Sequence, residues 1–319
     1  MCTTCGCSNT QSAAVTDLDA QEAAQAQPRE ESGSPQQPQS AAVAAHEHLY
    51  RRVDGHGHTH PHPHPHPHSH PHVQARPHSH EHQHEHEHEH DQAHVHAHEH
   101  GTSITLEQEV LAKNQLLAER NRGWLAGRSI LAVNLMSSPG AGKTTLLERT
   151  IRETGGTMPL TVIEGDQATL NDAERIRATG CRVVQINTGT GCHLDAEMIF
   201  RGLKQLDPPL RSVVMIENVG NLVCPALFDL GELAKVLILS VTEGEDKPIK
   251  YPHMFRASSL MLLNKIDLLP HLRFDVARCI DYARRVNPAI DILQISAETG
   301  AGMEAWYAWL RDHRDALLR

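Results

Sequence analysis

Apolar positions follow two different regimes along this 319-residue chain. Up to about residue 100 they show almost no period. From residue 104 onward, short apolar runs alternate with amphipathic stretches, the signature of strands interleaved with helices. The runs at 130–136, 160–163, 182–186, 213–216, 235–241, 260–263 and 292–295 are rich in Val, Ile and Leu, and they read as strands buried on both faces of a sheet. Between them lie helical patterns, one opening at Thr145-Leu146-Leu147-Glu148-Arg149 and another over 168–178. Ahead of the first strand, Ser103 or Thr105 can cap a helix running to about Arg122. It carries Leu106, Val110, Leu111 and Leu117 on one side, and Gly123 and Gly127 break it. Strand and helix in strict alternation predict an α/β fold with a mostly parallel sheet flanked by helices. Residues 104–319 suffice for one such core.

The first hundred residues divide by composition. Residues 8–45 are rich in Gln, Ala, Ser, Glu and Pro and are expected to be a disordered spacer. Residues 46–100 hold 22 of the 26 histidines, mostly alternating with Pro and then Glu. Proline at alternate positions removes ladder donors, so the tract reads as extended and disordered. Dense imidazoles on such a chain give high-capacity, exchangeable binding of Ni²⁺, Zn²⁺ or Cu²⁺. At the start, Cys2, Cys5 and Cys7 can converge on one ion without a fold. With nitrogen donors they suit square-planar Ni(II) or Cu(II), and alone they suit tetrahedral Zn²⁺.

Charge and length narrow the function class. The formal net charge is −10 and nothing forms a basic stripe with interleaved aromatics, so nucleic acid is not an expected partner. No run is long and apolar enough to suggest a membrane span, and the N-terminus does not read as a secretion signal. A cytoplasmic protein is expected, with thiols as ligands rather than disulfides.

The segment Ser137-Ser138-Pro139-Gly140-Ala141-Gly142-Lys143-Thr144-Thr145 sits between the first strand and its helix. It fits G-x-x-x-x-G-K-[ST] except that Ser137 holds the first glycine position. In this context backbone N–H groups and the helix N-terminus cradle phosphate, Lys143 reaches the β- and γ-phosphates, and the Thr144 hydroxyl holds Mg²⁺. Asp166, past the second strand, is a candidate Mg²⁺-proximal or water-orienting group, with helix capping as the alternative. Glu217-x-x-Gly220 places an acid at a strand end and a glycine amide for the γ-phosphate. Asn264-Lys265-Ile266-Asp267 follows an apolar strand. The Asp267 carboxylate can accept both the N1–H and the exocyclic amine of guanine, which adenine cannot match. Asn264 braces the loop, Lys265 covers the base, and backbone at Ser296 and Ala297 can reach guanine O6. GTP is the implied nucleotide. Cys192-His193 and Cys224 follow neighbouring strands, and together they offer three of four ligands for Zn²⁺ or a partial site for Ni²⁺, which a twofold partner could complete.

These pieces resemble the hydrogenase nickel-incorporation GTPase family (HypB). The likeness is carried by Cys2/Cys5/Cys7, residues 137–145, Glu164-Gly165-Asp166-Gln167, Gly191-Cys192-His193-Leu194-Asp195, residues 217–225 and residues 264–267. The resemblance implies a P-loop GTPase of the dimerising SIMIBI class, cycling between GTP and GDP, and since no Gln or Arg stands out to activate the water, slow intrinsic turnover is expected. Lys143, Thr144, Asp166 and Glu217 are its catalytic candidates, and Gly140, Ala141, Gly142, Lys143, Thr144, Thr145 and Gly220 its phosphate contacts. It further implies a tight nickel site at Cys2, Cys5 and Cys7 and a nickel/zinc site at the dimer interface. Implied partners are a HypA-type zinc/nickel chaperone, the hydrogenase large-subunit precursor and, as a further candidate, a nickel-dependent prolyl isomerase. Two rival readings share parts of the pattern, a urease-type nickel GTPase and a passive metal buffer with a residual GTPase core.

Overall fold

The computed structural model describes residues 13–17, 98–167 and 171–319, with backbone alone for 98–107. Cys2, Cys5, Cys7 and the histidine tract up to residue 97 lie outside the described residues.

One eight-stranded sheet organises the described chain. Its strands are β1 (Ala14–Asp17), β2 (Leu131–Ser137), β3 (Leu160–Asp166), β4 (Arg182–Asn187), β5 (Val213–Glu217), β6 (Ala234–Ser240), β7 (Leu260–Asn264) and β8 (Asp291–Gln294). Their spatial order is β1-β4-β3-β5-β2-β6-β7-β8. All pairings are parallel except that of β1 with β4. Parallel neighbours need crossover connections, and helices supply most of them. The α-helices of the described residues are α1 (His98–Gly127), α2 (Lys143–Thr154), α3 (Asn171–Arg177), α4 (Ala196–Leu206), α5 (Cys224–Leu227), α6 (Lys247–Lys250), α7 (Pro252–Ala257), α8 (Val276–Val286) and α9 (Met303–Ala316), of which α1 precedes the first parallel strand and α9 follows the last.

Alternation along β2 shows why its run is apolar apart from the buried Asn134 and the closing Ser137. Leu131, Val133 and Leu135 pack with Leu146, Ile151, Trp306 and Leu310 of α2 and α9. Ala132 packs with Ile199 and Leu203 of α4 and Leu125 of α1. A strand covered on both faces has no position for a solvated side chain. Each fully buried Leu or Ile contributes about 1.5–3 kcal/mol. Because β2, β3 and β5 run in the same direction, the loops after their carboxyl ends emerge at one edge, where open α/β sheets hold ligands.

Three local expectations need correction. First, α1 does not end near Arg122 but continues to Gly127, because Leu125 is buried in the core and holds the last turn. Its buried face is not the leucine side. Asn114, Ala118, Asn121 and Leu125 face inward, while Val110, Leu111 and Leu116 are exposed. Asn121 Nδ2 donates to the carbonyls of Ala196 (2.7 Å) and Leu230 (3.0 Å), and the Asn114 amide spans Asp229 O (2.7 Å) and Ala196 N (2.9 Å). Both amide groups of Asn114 and the Nδ2 of Asn121 are matched in this way, while Asn121 Oδ1 is buried without a hydrogen-bond partner. Second, residues 14–17 of the segment read as a spacer form the edge strand β1. Ala13 and Val15 pack on the α4 side of the sheet, and Arg201 reaches Ala13 O at 3.2 Å. Third, Asp166 closes β3, and the helix expected over 168–178 is described over Asn171–Arg177, residues 168–170 lying outside the described residues.

Candidate functional site

The phosphate loop emerges where it was expected. Gly140 and Gly142 adopt φ of +74° and +97°, a left-handed geometry that suits glycine. A Cβ on Gly142 would lie 2.7 Å from Asn264 Nδ2, so glycine is also required by space. Gly142 is the N-cap of α2 and no side chain caps that end, which leaves the first N–H groups to face a phosphate. Lys143 Nζ donates to Ser137 Oγ at 2.8 Å, so the residue replacing the usual first glycine anchors the lysine. Burial pushes the Lys143 ammonium below its ordinary pKa, opposed chiefly by Glu217.

Thr144 and Glu217 meet directly, Thr144 Oγ1 donating to Glu217 Oε1 at 2.9 Å. The second oxygen, Glu217 Oε2, is buried without a hydrogen-bond partner. A hydroxyl, a carboxylate and an orphaned carboxylate oxygen fit a divalent cation beside phosphates. Without one, burial raises the Glu217 carboxyl to about 7. Asp166 lines the same cleft with Gln167, Asp172, Arg175 and Gly220. Behind them Glu164 is pushed up to about 9, first by burial and then by the charges of Glu217 and Asp166. The Asp166 carbonyl accepts from Thr188 N at 2.9 Å, tying β3 to the loop after β4.

The candidate base-binding residues converge on the phosphate loop. Asn264 donates to Ala141 O at 2.9 Å and accepts from Ala297 N at 3.0 Å, bridging the two loops. Lys265 adopts φ of +63° and donates to Gly140 O at 2.7 Å, which lays its stem across the cleft. Ser296 Oγ donates to Asp267 Oδ1 at 2.5 Å and fixes the carboxylate. Sequence reasoning missed Arg149 on α2, whose guanidinium grips Ala297 O (2.6 Å) and Glu298 O (2.7 Å) from below. No local pattern marks it, since its partners are 148 and 149 residues away.

The metal candidates also meet. The ligand atoms of Cys192, His193 and Cys224 all lie within 4.8 Å of one another, with the two sulfurs 3.1 Å apart. Cys224 is buried, and Cys192 and His193 are half-buried. The His193 ring packs on Phe228 with centroids 3.9 Å apart, and burial lowers its pKa against the pull of Asp195. A neutral imidazole beside two thiols is a ligand set suited to Zn²⁺ or Ni²⁺.

An eight-stranded sheet with a glycine-rich loop, a lysine and threonine opening the next helix, and an acid facing that threonine defines a P-loop NTPase. Residues 131–294 match the family described as CobW/HypB/UreG, nucleotide-binding domain. Hydrogenase maturation factor HypB of Azotobacter chroococcum mcd 1 is 59% identical over 216 residues, spanning 68% of this chain and 71% of that protein. The namesake from Escherichia coli K12 is 60% identical over 213 residues, 67% of this chain and 73% of its own. A crystal structure of HypB from Archaeoglobus fulgidus superimposes with a TM-score of 0.60 at 41% identity, covering 64% of this chain and 99% of that one. A structure of HypB from Helicobacter pylori in complex with nickel gives 0.60 at 34% identity, covering 64% and 96%. The chain belongs to the HypB family, as the sequence resemblance implied.

Proposed function

We propose that this chain is a GTP-hydrolysing nickel metallochaperone for the maturation of [NiFe]-hydrogenases. The observation that carries the reading is one loop. It starts at Glu217, which faces Thr144 in the nucleotide cleft, and ends at Cys224, whose sulfur meets Cys192. Nucleotide and metal therefore act on the two ends of one eight-residue segment. The relatives' printed names support hydrogenase maturation, and the nickel complex of a HypB structure supports the metal.

In this reading Thr144 and Glu217 hold Mg²⁺, directly or through water, and the cation neutralises charge on the phosphates. Lys143 and the loop amides stabilise charge on the transferred phosphoryl, and Asp166 orients the attacking water. Asp267 selects guanine, helped by backbone at Ser296 and Ala297. Cys192, His193 and Cys224 hold Ni²⁺ or Zn²⁺ at the face where two copies dimerise with GTP bound. Cys2, Cys5 and Cys7 form a separate nickel site, and the histidine tract is a nickel store. The partners are a HypA-type chaperone, the hydrogenase large-subunit precursor and a nickel-dependent prolyl isomerase, in the cytoplasm. Among the described residues no helix is long and apolar enough to cross a membrane.

The test mixes nickel-loaded full-length protein, Mg²⁺, the chaperone and nickel-free precursor, and reads released phosphate and precursor-bound nickel together. GTP should drive both, and Lys143→Ala should stop both. Equal nickel transfer with no nucleotide would overturn the reading.

A further inference from the structure

Two asparagines on that loop hold the metal-bearing residues from both sides. Asn218 Oδ1 accepts from Leu194 N at 3.1 Å and from Val219 N at 3.0 Å. Asn221 Nδ2 donates to Cys192 O at 3.3 Å, while its Oδ1 accepts from Val223 N at 2.8 Å. The two side chains thus grip the backbone immediately before and immediately after His193. Asn218 is 1% exposed, and its Nδ2 donates to Asn134 Oδ1 on β2 at 3.2 Å. Asn134 in turn donates to Glu232 Oε1 at 3.1 Å, and Glu232 Oε2 accepts from Leu230 N at 2.7 Å. A buried chain of matched amides is rigid, because each member would lose a partner if it moved alone.

The placement matters because these residues have different neighbours. Asn218 directly follows Glu217, the acid facing Thr144, and Asn221 directly follows Gly220, which packs on Pro139 of the phosphate loop. Any displacement of residues 217–221 is carried to Cys192 O and Leu194 N. Cys224 lies three residues beyond Asn221 on the same segment. The spacing among the three metal ligands therefore depends on where this segment sits.

We infer that Asn218 and Asn221 are positioning residues that couple nucleotide occupancy to the geometry of the Cys192, His193 and Cys224 metal site. The inference rests on the reading that one chain binds both GTP and nickel. Neither asparagine touches the metal, so removing one changes how the site responds to nucleotide more than whether it exists. Linkage then requires nickel to act back on nucleotide affinity through the same amides.

The experiment uses the full chain carrying Cys2, Cys5 and Cys7→Ser, so that thiolate-to-nickel charge-transfer absorption reports the core cysteines and the histidine tract gives no such band. Nickel affinity is titrated with and without a non-hydrolysable GTP analogue and Mg²⁺, and the ratio of the two is the readout. The parent should show a ratio of about fivefold or more in either direction. Asn218→Ala should bring the ratio to within about twofold of one while analogue affinity persists. Asn221→Asp keeps the acceptor for Val223 N but loses the donor to Cys192 O, and at a half-buried position it tests the idea should Asn218→Ala fail to fold. It should also abolish the ratio. Variants that bind nickel more weakly but keep the parental ratio would show that the asparagines only support the fold, and would overturn the inference. A parental ratio of one would instead remove the nucleotide-gated reading, and the inference with it.

Discussion

Thr144 Oγ1 lies 2.9 Å from Glu217 Oε1, and the other oxygen of that carboxylate is buried with no partner. This contact joins the first turn of α2 to the end of β5, two elements 73 residues apart. An orphaned buried carboxylate oxygen costs stability unless something positive arrives. In the proposed reading, Mg²⁺ beside the nucleotide would supply that positive charge.

That burial has a pH signature. Glu164 is held protonated up to about 9, from an ordinary 4.5, by burial and by Glu217, Asp166 and Asp172, with Gln185 opposing. Glu217 behaves alike up to about 7, opposed by Lys143, Thr144 and Arg175. In each case the folded state keeps a proton that the unfolded state releases. The contribution to stability is complete below the unfolded value and is lost as pH rises through the folded one. Nucleotide-free protein should therefore lose stability between about pH 4.5 and 9, by at most roughly 1.4 kcal/mol per pH unit per group. Lys143, lowered by burial, works in the opposite sense. Urea unfolding of Glu164→Gln at pH 5.5 and 8.5 checks this, since the variant should show a clearly flatter pH dependence than the parent.

In the proposed reading, base choice rests on the Asp267 carboxylate. Asp267→Asn replaces an acceptor with a mixed acceptor and donor, so one guanine N–H loses its partner and an amide N–H meets another donor. GTP affinity should fall by about 100-fold or more, while a xanthine nucleotide, which carries a carbonyl in place of the exocyclic amine, should bind better than GTP. Competition between the two nucleotides in equilibrium titrations measures the switch.

Helix α1 is held by the amides of Asn114 and Asn121 together with buried Ala118 and Leu125, not by its exposed Val110, Leu111 and Leu116. Asn121→Ala strips partners from the carbonyls of Ala196 and Leu230, both in buried surroundings. A loss of about 2–4 kcal/mol is expected in denaturant unfolding, with faster amide exchange in the helix. Leu116→Ala, at a position 75% exposed, should change stability by less than about 0.5 kcal/mol.

The contrast between Leu116 and Asn121 shows what the sequence could convey. Phosphate loop, Asn264 to Asp267, and the Cys192, His193 and Cys224 trio were legible because short motifs at strand ends carry their chemistry, and a parallel sheet brings those ends to one edge. The strands were legible because burial on both faces leaves runs dominated by Val, Ile and Leu, broken only by single polar residues such as Asn134 and Gln185. The inward face of α1 was not, since hydrophobic periodicity is blind to asparagines whose partners lie 75 to 115 residues away. Arg149 was hidden for the same reason, and so were the contacts of Asn218 and Asn221, although the 217–225 motif that holds them stood out. Strand β1 escaped notice because four residues at a sheet edge carry too little pattern to stand out from a polar segment.

Linkage gives the most direct test of the central claim, that nucleotide and nickel are bound by one coupled device. In the full chain carrying Cys2, Cys5 and Cys7→Ser, the affinity for a fluorescent non-hydrolysable GTP analogue with Mg²⁺ is measured without Ni²⁺ and with Ni²⁺ added until the thiolate-to-nickel band saturates. The account predicts a change of about fivefold or more, equal to the factor by which nucleotide shifts nickel affinity, and its loss in Cys224→Ala. The same analogue affinity with and without nickel, within about twofold, would contradict it.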